Sequence, residues 1–116
     1  MSPIQDIAFV RYQVTDLDAM AVFLADFGLH TVARTDRALY SRTAGPSHHA
    51  HIAELGAENK AIGIGFFARD AEAMAEVAQR VGKPIEDNPE PGGGQRVRFT
   101  DPAGFVIDLI HGQATH

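Results

Sequence analysis

Apolar and polar residues alternate from Ile7 to Val14. Ala8, Val10, Tyr12 and Val14 fall on one side, and Ile7, Phe9, Arg11 and Gln13 on the other. That period of two predicts a strand with two differently used faces. From Thr15 the period lengthens, so that Leu17, Met20, Leu24 and Phe27 recur on one side. Thr15 and Asp18 have capping-box spacing and Gly28 supplies a left-handed stop, which predicts a helix over 15–28. A second helix is expected from about Asp70 to Gly82. Asp70 is its N-cap, Met74, Val77, Ala78 and Val81 form its apolar stripe, and Pro84 prevents continuation.

The two helices belong to a repeat. A shift of 54 positions lays Asp16, Asp18, Ala19, Met20, Ala21 and Gly28 onto Asp70, Glu72, Ala73, Met74, Ala75 and Gly82. It also pairs Ile7–Val14 with a strand expected over Ala61–Ala68. We assign Ala8, Val10, Tyr12, Val14 and their counterparts Ile62, Ile64, Phe66 and Ala68 to the helix-covered face. Phe9, Arg11, Gln13, Gly63, Gly65 and Phe67 are left on the opposite, inner face, with Ile7 and Ala61. Short strands are expected at 29–35, 38–43 and 49–55, then at 84–87, 95–100 and 105–111. Asp101-Pro102-Ala103-Gly104 reads as a type I turn that closes a hairpin. Each half is thus one strand, one helix and three strands (βαβββ), with module one at about 4–56 and module two at about 61–112 of a single 1–116 domain. Neither half can hide its apolar face alone, so the two are expected to pack together.

Composition narrows the function. The 116 residues are 45% hydrophobic and 22% charged, as in an average globular domain. Cysteine is absent, which excludes disulfides, cysteine zinc sites and a thiol nucleophile. The formal charge is -5 and no basic run could follow a row of phosphates, so no nucleic-acid partner is expected. Apolar stretches fall far short of the ~20 residues of a membrane helix, and the first residues show no signal-peptide pattern; a cytoplasmic location without membrane association is expected.

Few residues carry candidate chemistry. Arg11 and Asp108 are the inner-face charges expected to meet, either as an internal ion pair, which we favour, or as a polar grip on a small acidic or phenolic ligand. Gly63 and Gly65 leave room there, to be filled by Phe9 and Phe67 or left as a pocket. Of six histidines, His48, His49 and His51 cluster; His49 and His51 share a strand face, but the Gly45-Pro46-Ser47 turn before them favours a structural or solvated role over metal binding. His30, His111 and His116 stand alone and are expected to be ordinary. Pro89-Glu90-Pro91-Gly92-Gly93-Gly94 leads into a strand without a following lysine, so it is expected to be a flexible connection rather than a phosphate loop. Ser2, Ser41 and Ser47 lack a nucleophile elbow.

The repeated βαβββ unit, opened by Val14-Thr15-Asp16-Leu17-Asp18 and closed by Asp101-Pro102-Ala103-Gly104-Phe105-Val106-Ile107-Asp108-Leu109, resembles the vicinal oxygen chelate superfamily of glyoxalase I, bleomycin and fosfomycin resistance proteins and extradiol dioxygenases. The resemblance implies an α+β fold in which two modules form a curved mixed sheet of half-barrels, each with one helix outside. Ser47-His48-His49-Ala50-His51-Ile52 and Val97–Phe105 look most like the non-catalytic N-terminal domain of an extradiol dioxygenase, which packs against a separate catalytic copy holding iron or manganese. Metal-bearing positions in the superfamily match Phe9, Gly63 and Asp108 here, with Glu54 as a possible fourth-strand carboxylate. Only carboxylates remain, so no metal, no cofactor and no catalytic residue is expected in this chain. Phe9, Arg11, Gln13, Gly63, Gly65, Phe67 and Asp108 are expected to line the cavity. The expected partners are an aromatic small molecule and a second vicinal oxygen chelate domain or a homodimer mate. The alternatives are a free-standing dimeric binding protein of the bleomycin-resistance type and, behind it, a glyoxalase-like lyase.

Overall fold

Alternation holds the first strand, β1 (Ile4–Val14), in the middle of the molecule, where it joins the two halves. Then follow α1 (Leu17–Asp26), β2 (His30–Arg34), β3 (Ala38–Arg42), β4 (His51–Leu55), β5 (Lys60–Ala68), α2 (Ala71–Val81), β6 (Glu86–Asp87), β7 (Gln95–Thr100) and β8 (Val106–His111). The computed structural model describes residues 2–43, 45 and 48–114. All eight strands form one mixed, unclosed sheet in the order β2-β3-β4-β1-β5-β8-β7-β6. Each half has the same internal order, because β1 pairs in parallel with β4 and β5 in parallel with β8. The antiparallel β1–β5 pair is the seam. The α+β architecture expected from the repeat is therefore present.

Each helix covers its own half. Leu17 and Leu24 of α1 pack with Val14, Leu39 and Ala53, and Met74 and Ala78 of α2 with Ala68, Val97 and Leu109. A third cluster lies on the inner face, built from Phe9, Ala38, Tyr40, Ile52 and Ile110. Burying the apolar area of these clusters is the main favourable term in folding.

Local departures from the expected elements have identifiable causes. Asp16, not Thr15, caps α1: its backbone is extended and its carboxylate accepts from the Ala19 N–H at 3.0 Å, as the Asp70 carboxylate does from the Ala73 N–H at 2.8 Å. Both helices stop at a left-handed glycine, Gly28 at φ +89° and Gly82 at φ +69°, as expected. Phe27 was expected on the apolar stripe but is 71% exposed. It is the C-cap, already out of helical phase, and it lies against Phe23 at 4.9 Å between rings. Ile7 is exposed as well, whereas Ala8 joins the inner cluster with Phe9, because the β1–β5 register slips between Ile7 and Phe9. The Asp101 turn forms as expected, with the Gly104 N–H donating to the Asp101 carbonyl and the Asp101 carboxylate accepting from the Ala103 and Phe105 N–H groups. Of the turn expected at 45–47, Pro46 and Ser47 lie outside the described residues, as does His116.

Candidate functional site

Arg11 is delivered to the inner face by the alternation of β1 and is 2% exposed. Its guanidinium is engaged by three carboxylates. Glu54 of β4 bonds Nη1; Glu90 bonds Nη1 at 2.9 Å and Nη2 at 2.7 Å; Asp108 of β8 bonds Nη2 at 3.1 Å. Glu54 and Asp108 are 54 positions apart, so the two halves contribute equivalent carboxylates to one cation. Arg98 of β7 lies opposite Asp108 in the register and holds it from the other side at 2.6 and 2.8 Å. The Tyr40 hydroxyl donates to Glu90 at 3.2 Å. A charge removed from water needs such partners, and a planar guanidinium can serve several carboxylates at once.

The electrostatics follow from this packing. Burial alone would depress the Arg11 guanidinium, but the hydrogen bond and charge of Glu90, with Asp108 and Glu54, raise its pKa above the ordinary arginine range. Burial works to raise the Glu90 carboxyl, yet Arg11, then Arg98 and Tyr40, hold it below the usual range. Burial and the neighbouring Glu90 push the Tyr40 hydroxyl up to about 12. Neither Glu90 nor Tyr40 is therefore poised to exchange a proton near neutrality.

The expected cavity residues divide. Phe9, Arg11, Gly65, Phe67 and Asp108 come together on the inner face. Asp108 lies beside Gly65, and Gly65 in turn beside Phe9, along the ladder. The Phe9 ring occupies the room that Gly65 leaves, since a Cβ on Gly65 would stand 2.4 Å from a ring carbon. Gly63 is paired with Arg11 and Val106 instead, and a Cβ there would meet the Val106 carbonyl oxygen at 2.6 Å. Gln13 does not join the charged network; its amide oxygen accepts from the Glu58 N–H and its side chain lies against Gly56.

Glu90, Arg98 and Tyr40 were not singled out by the sequence. One signal was available: Arg96 and Arg98 fall two apart on a strand that pairs with β8, so both share the face of Asp108 and need more carboxylate than Asp108 supplies. The connection expected to be merely flexible supplies it through Glu90.

The histidine cluster is split by the fold. His49 is 1% exposed, with its ring 5.3 Å from that of Phe9 and 5.4 Å from that of Tyr40, and its Nδ1 lies 3.0 Å from Nδ1 of His48. Its Nε2 is buried without a hydrogen-bond partner among the described residues. Burial, with a smaller contribution from His48, lowers its pKa to about 4. His51 instead stacks on Tyr12 at 5.2 Å, on the opposite side of the sheet from Ile52, and burial lowers its pKa too.

A transition metal does not fit this place. The guanidinium of Arg11 already lies between the repeat-related carboxylates, Phe9 offers no lone pair, and Gly63 and Gly65 have no side chain. Among the described residues no group of three or more His, Asp or Glu side chains is arranged to hold an ion. No described helix is long and apolar enough to cross a membrane.

The family model described as the Glyoxalase/Bleomycin resistance protein/Dioxygenase superfamily matches residues 6–109. No curated protein matches the sequence. Among solved structures, the Mn(II)-bound glyoxalase from Novosphingobium aromaticivorans is 25% identical with a TM-score of 0.88, over 99% of this chain and 41% of that one. An extradiol ring-cleaving dioxygenase from B. fuscum is 25% identical with a TM-score of 0.81, over 99% of this chain and 34% of that one. Homoprotocatechuate 2,3-dioxygenase from Brevibacterium fuscum, in complex with 3,4-dihydroxyphenylacetate, shares the fold at 22% identity and a TM-score of 0.84, over 99% and 39%. The chain thus spans well under half the length of each of these neighbours.

Proposed function

Because the chain belongs to the Glyoxalase/Bleomycin resistance protein/Dioxygenase superfamily, we propose that it serves as a vicinal oxygen chelate domain of an extradiol-type dioxygenase, in the role of the non-catalytic N-terminal half. In that role it packs against and positions a catalytic half, which holds the iron or manganese and receives the aromatic substrate in the cytoplasm. The observation that carries this reading is the placement of Arg11 between Glu54 and Asp108. A fixed internal cation there neutralises the carboxylates that a metal would otherwise need, and leaves no open coordination position for substrate and oxygen.

A packing role is supported by the outer surface. Val22, Phe23 and Phe27 on and after α1 are 64%, 56% and 71% exposed, an apolar patch suited to a second domain of the same fold. A second reading, the dimeric binding protein of the bleomycin-resistance type, would use the same patch between two identical chains.

Loading the purified chain with iron(II) or manganese(II), followed by desalting and elemental analysis, tests the non-catalytic assignment. The expected result is metal far below one per chain and no ring cleavage of a catechol under air. One metal per chain, lost in Asp108→Asn, would overturn it.

A further inference from the structure

We propose that the inner face holds a binding site for a small carboxylate, and that Glu90 occupies that site as an internal stand-in for the ligand. The inference goes beyond the packing role and is independent of it, since a domain without a metal can still bind.

Of the three carboxylates on Arg11, two are fixed by regular structure: Glu54 on β4 and Asp108 on β8. Asp108 is also held twice by Arg98, so it stays neutralised whatever happens to its contact with Arg11. Glu90 differs in both respects. It lies in the connection between β6 and β7, outside any strand, yet it takes both forward-facing Nη groups of Arg11, the arrangement a free carboxylate adopts on a guanidinium. The Tyr40 hydroxyl donates to the same carboxylate at 3.2 Å, and Arg96 and Arg98 each approach it to 3.7 Å. Three arginines and a phenol thus converge on one carboxylate.

The segment that brings Glu90 in can swing about Gly93. It continues into Gly92, Gly93 and Gly94, all at positive φ; Gly93 borders open space, whereas Gly92 and Gly94 are seated against Gln113 and the His111–Gly112 backbone and anchor the far end. Around Glu90 itself the hold is local: the Gly93 N–H donates to the Glu90 carbonyl, and the Asn88 side chain bonds the Glu90 N–H and the Gly93 carbonyl, while the Ala114 N–H anchors the Gly92 carbonyl from outside the loop. An incoming carboxylate that displaces Glu90 into water leaves the charge of the buried network unchanged, so the exchange incurs no uncompensated buried charge.

A second observation points to a polar ligand. His49 is buried against the Tyr40 and Phe9 rings with its Nε2 unpartnered among the described residues, a state that costs free energy until something polar reaches it. Because these rings pack directly on one another, the room for a ligand is that which the Glu90 side chain vacates beside Arg11 and Tyr40. A compact carboxylate fits that room better than one attached to an aromatic ring.

Because Glu90 is tethered, it competes at a high effective concentration, and the parent protein should bind weakly. The test is titration calorimetry of the full chain with benzoate and acetate. Glu90→Ala is expected to bind acetate about tenfold or more tightly than the parent, with benzoate weaker than acetate. Arg11→Met added to Glu90→Ala should abolish the gain. Glu90→Gln, which keeps the shape of the side chain and removes its charge, serves if the alanine variant is poorly folded, and should move affinity in the same direction. In the parent, saturating acetate should speed hydrogen exchange of the Glu90 and Gly93 amides as Glu90 leaves. Equal affinity in parent and Glu90 variants would overturn the proposal, as would binding that survives the loss of Arg11, or exchange at Glu90 and Gly93 indifferent to acetate.

Discussion

The two halves spend their irregular residues in different places. In the first half β2 and β3 are joined by the short Thr35-Asp36-Arg37 connection, while eight residues, 43–50, separate β3 from β4. In the second half the allocation is reversed: 88–94 separates β6 from β7, and the tight Asp101 turn joins β7 to β8. The long connection of the first half brings in His49, and that of the second brings in Glu90. Both arrive at Tyr40 on the inner face. The regular elements, which repeat, supply matched carboxylates; the connections, which do not repeat, supply what makes the site asymmetric. Specific chemistry in this fold is therefore to be sought where the repeat fails.

The largest effect should come from the shared cation. Arg11→Met removes the group on which Glu54, Glu90 and Asp108 converge, and breaking a buried pair by deleting one partner typically costs about 3–5 kcal/mol. Arg98 still holds Asp108, so the loss should fall at the low end of that range. Urea unfolding followed by circular dichroism measures it. A midpoint within error of the parent would mean that the two halves are not coupled through Arg11.

The seam glycines come next. Gly65→Ala would push a Cβ against the Phe9 ring and Gly63→Ala one against the Val106 carbonyl oxygen. Overpacking of this kind costs roughly 1–3 kcal/mol. The ring can tilt, whereas the β8 backbone is fixed by pairing on both sides, so Gly63→Ala should destabilise more. Equal urea midpoints for the two variants would show that β8 yields as easily as a side chain.

These two glycines also mark what could be read from the sequence. The repeat, both helices and their glycine stops were legible because 3.6- and 2-residue periods and caps are local signals. The Arg11–Asp108 pair was legible because both fall on inner positions of strands. Phe9 and Gly63 were matched by the 54-residue shift, but the antiparallel β1–β5 pairing sets Gly65, not Gly63, opposite Phe9, and the parallel β5–β8 pairing sets the same Gly65 beside Asp108. The register between two strands has no periodic signature in either. Glu90 was hidden for a related reason: a Pro- and Gly-rich connection has no face, so nothing local says that its one carboxylate points inward. Phe27 misled because the helical period was continued one residue past the last helical one.

The two long connections should also differ in their response to acid. His49 is held neutral with a folded-state pKa of about 4 against an ordinary 6.5, so the unfolded chain binds the proton first. Stability is then full above about pH 6.5 and falls as pH drops toward 4, with His51 adding in the same direction. Glu90, whose carboxyl is depressed, contributes stability above the ordinary carboxyl range and loses it only at lower pH still. His49→Phe should flatten part of the slope between pH 6.5 and 4 and leave the steeper loss below it. Urea midpoints across that range decide this; an unchanged slope in His49→Phe would mean that His49 takes up its proton as readily in the fold as in the unfolded chain.

The smallest effect separates an exposed ion pair of the first half from a shielded one of the second. Arg34 on β2 reaches Asp18 on α1 at 2.7 Å, but the two side chains are 42% and 85% exposed; Arg96 on β7 reaches Glu86 on β6 at 2.9 Å with Arg96 only 10% exposed. An exposed pair gains little over hydration and is screened by salt, so Arg34→Ala should cost at most about 1 kcal/mol, and less at about 1 M salt. Arg96→Ala leaves Glu86 without its partner, removes apolar stem from beside the core and withdraws one of the charges near Glu90, so it should cost more and depend less on salt. Urea unfolding of both variants at low and high salt makes the comparison. If Arg34→Ala proves the more damaging, the first half is held together by its helix–strand surface rather than by the inner-face network it shares with the second.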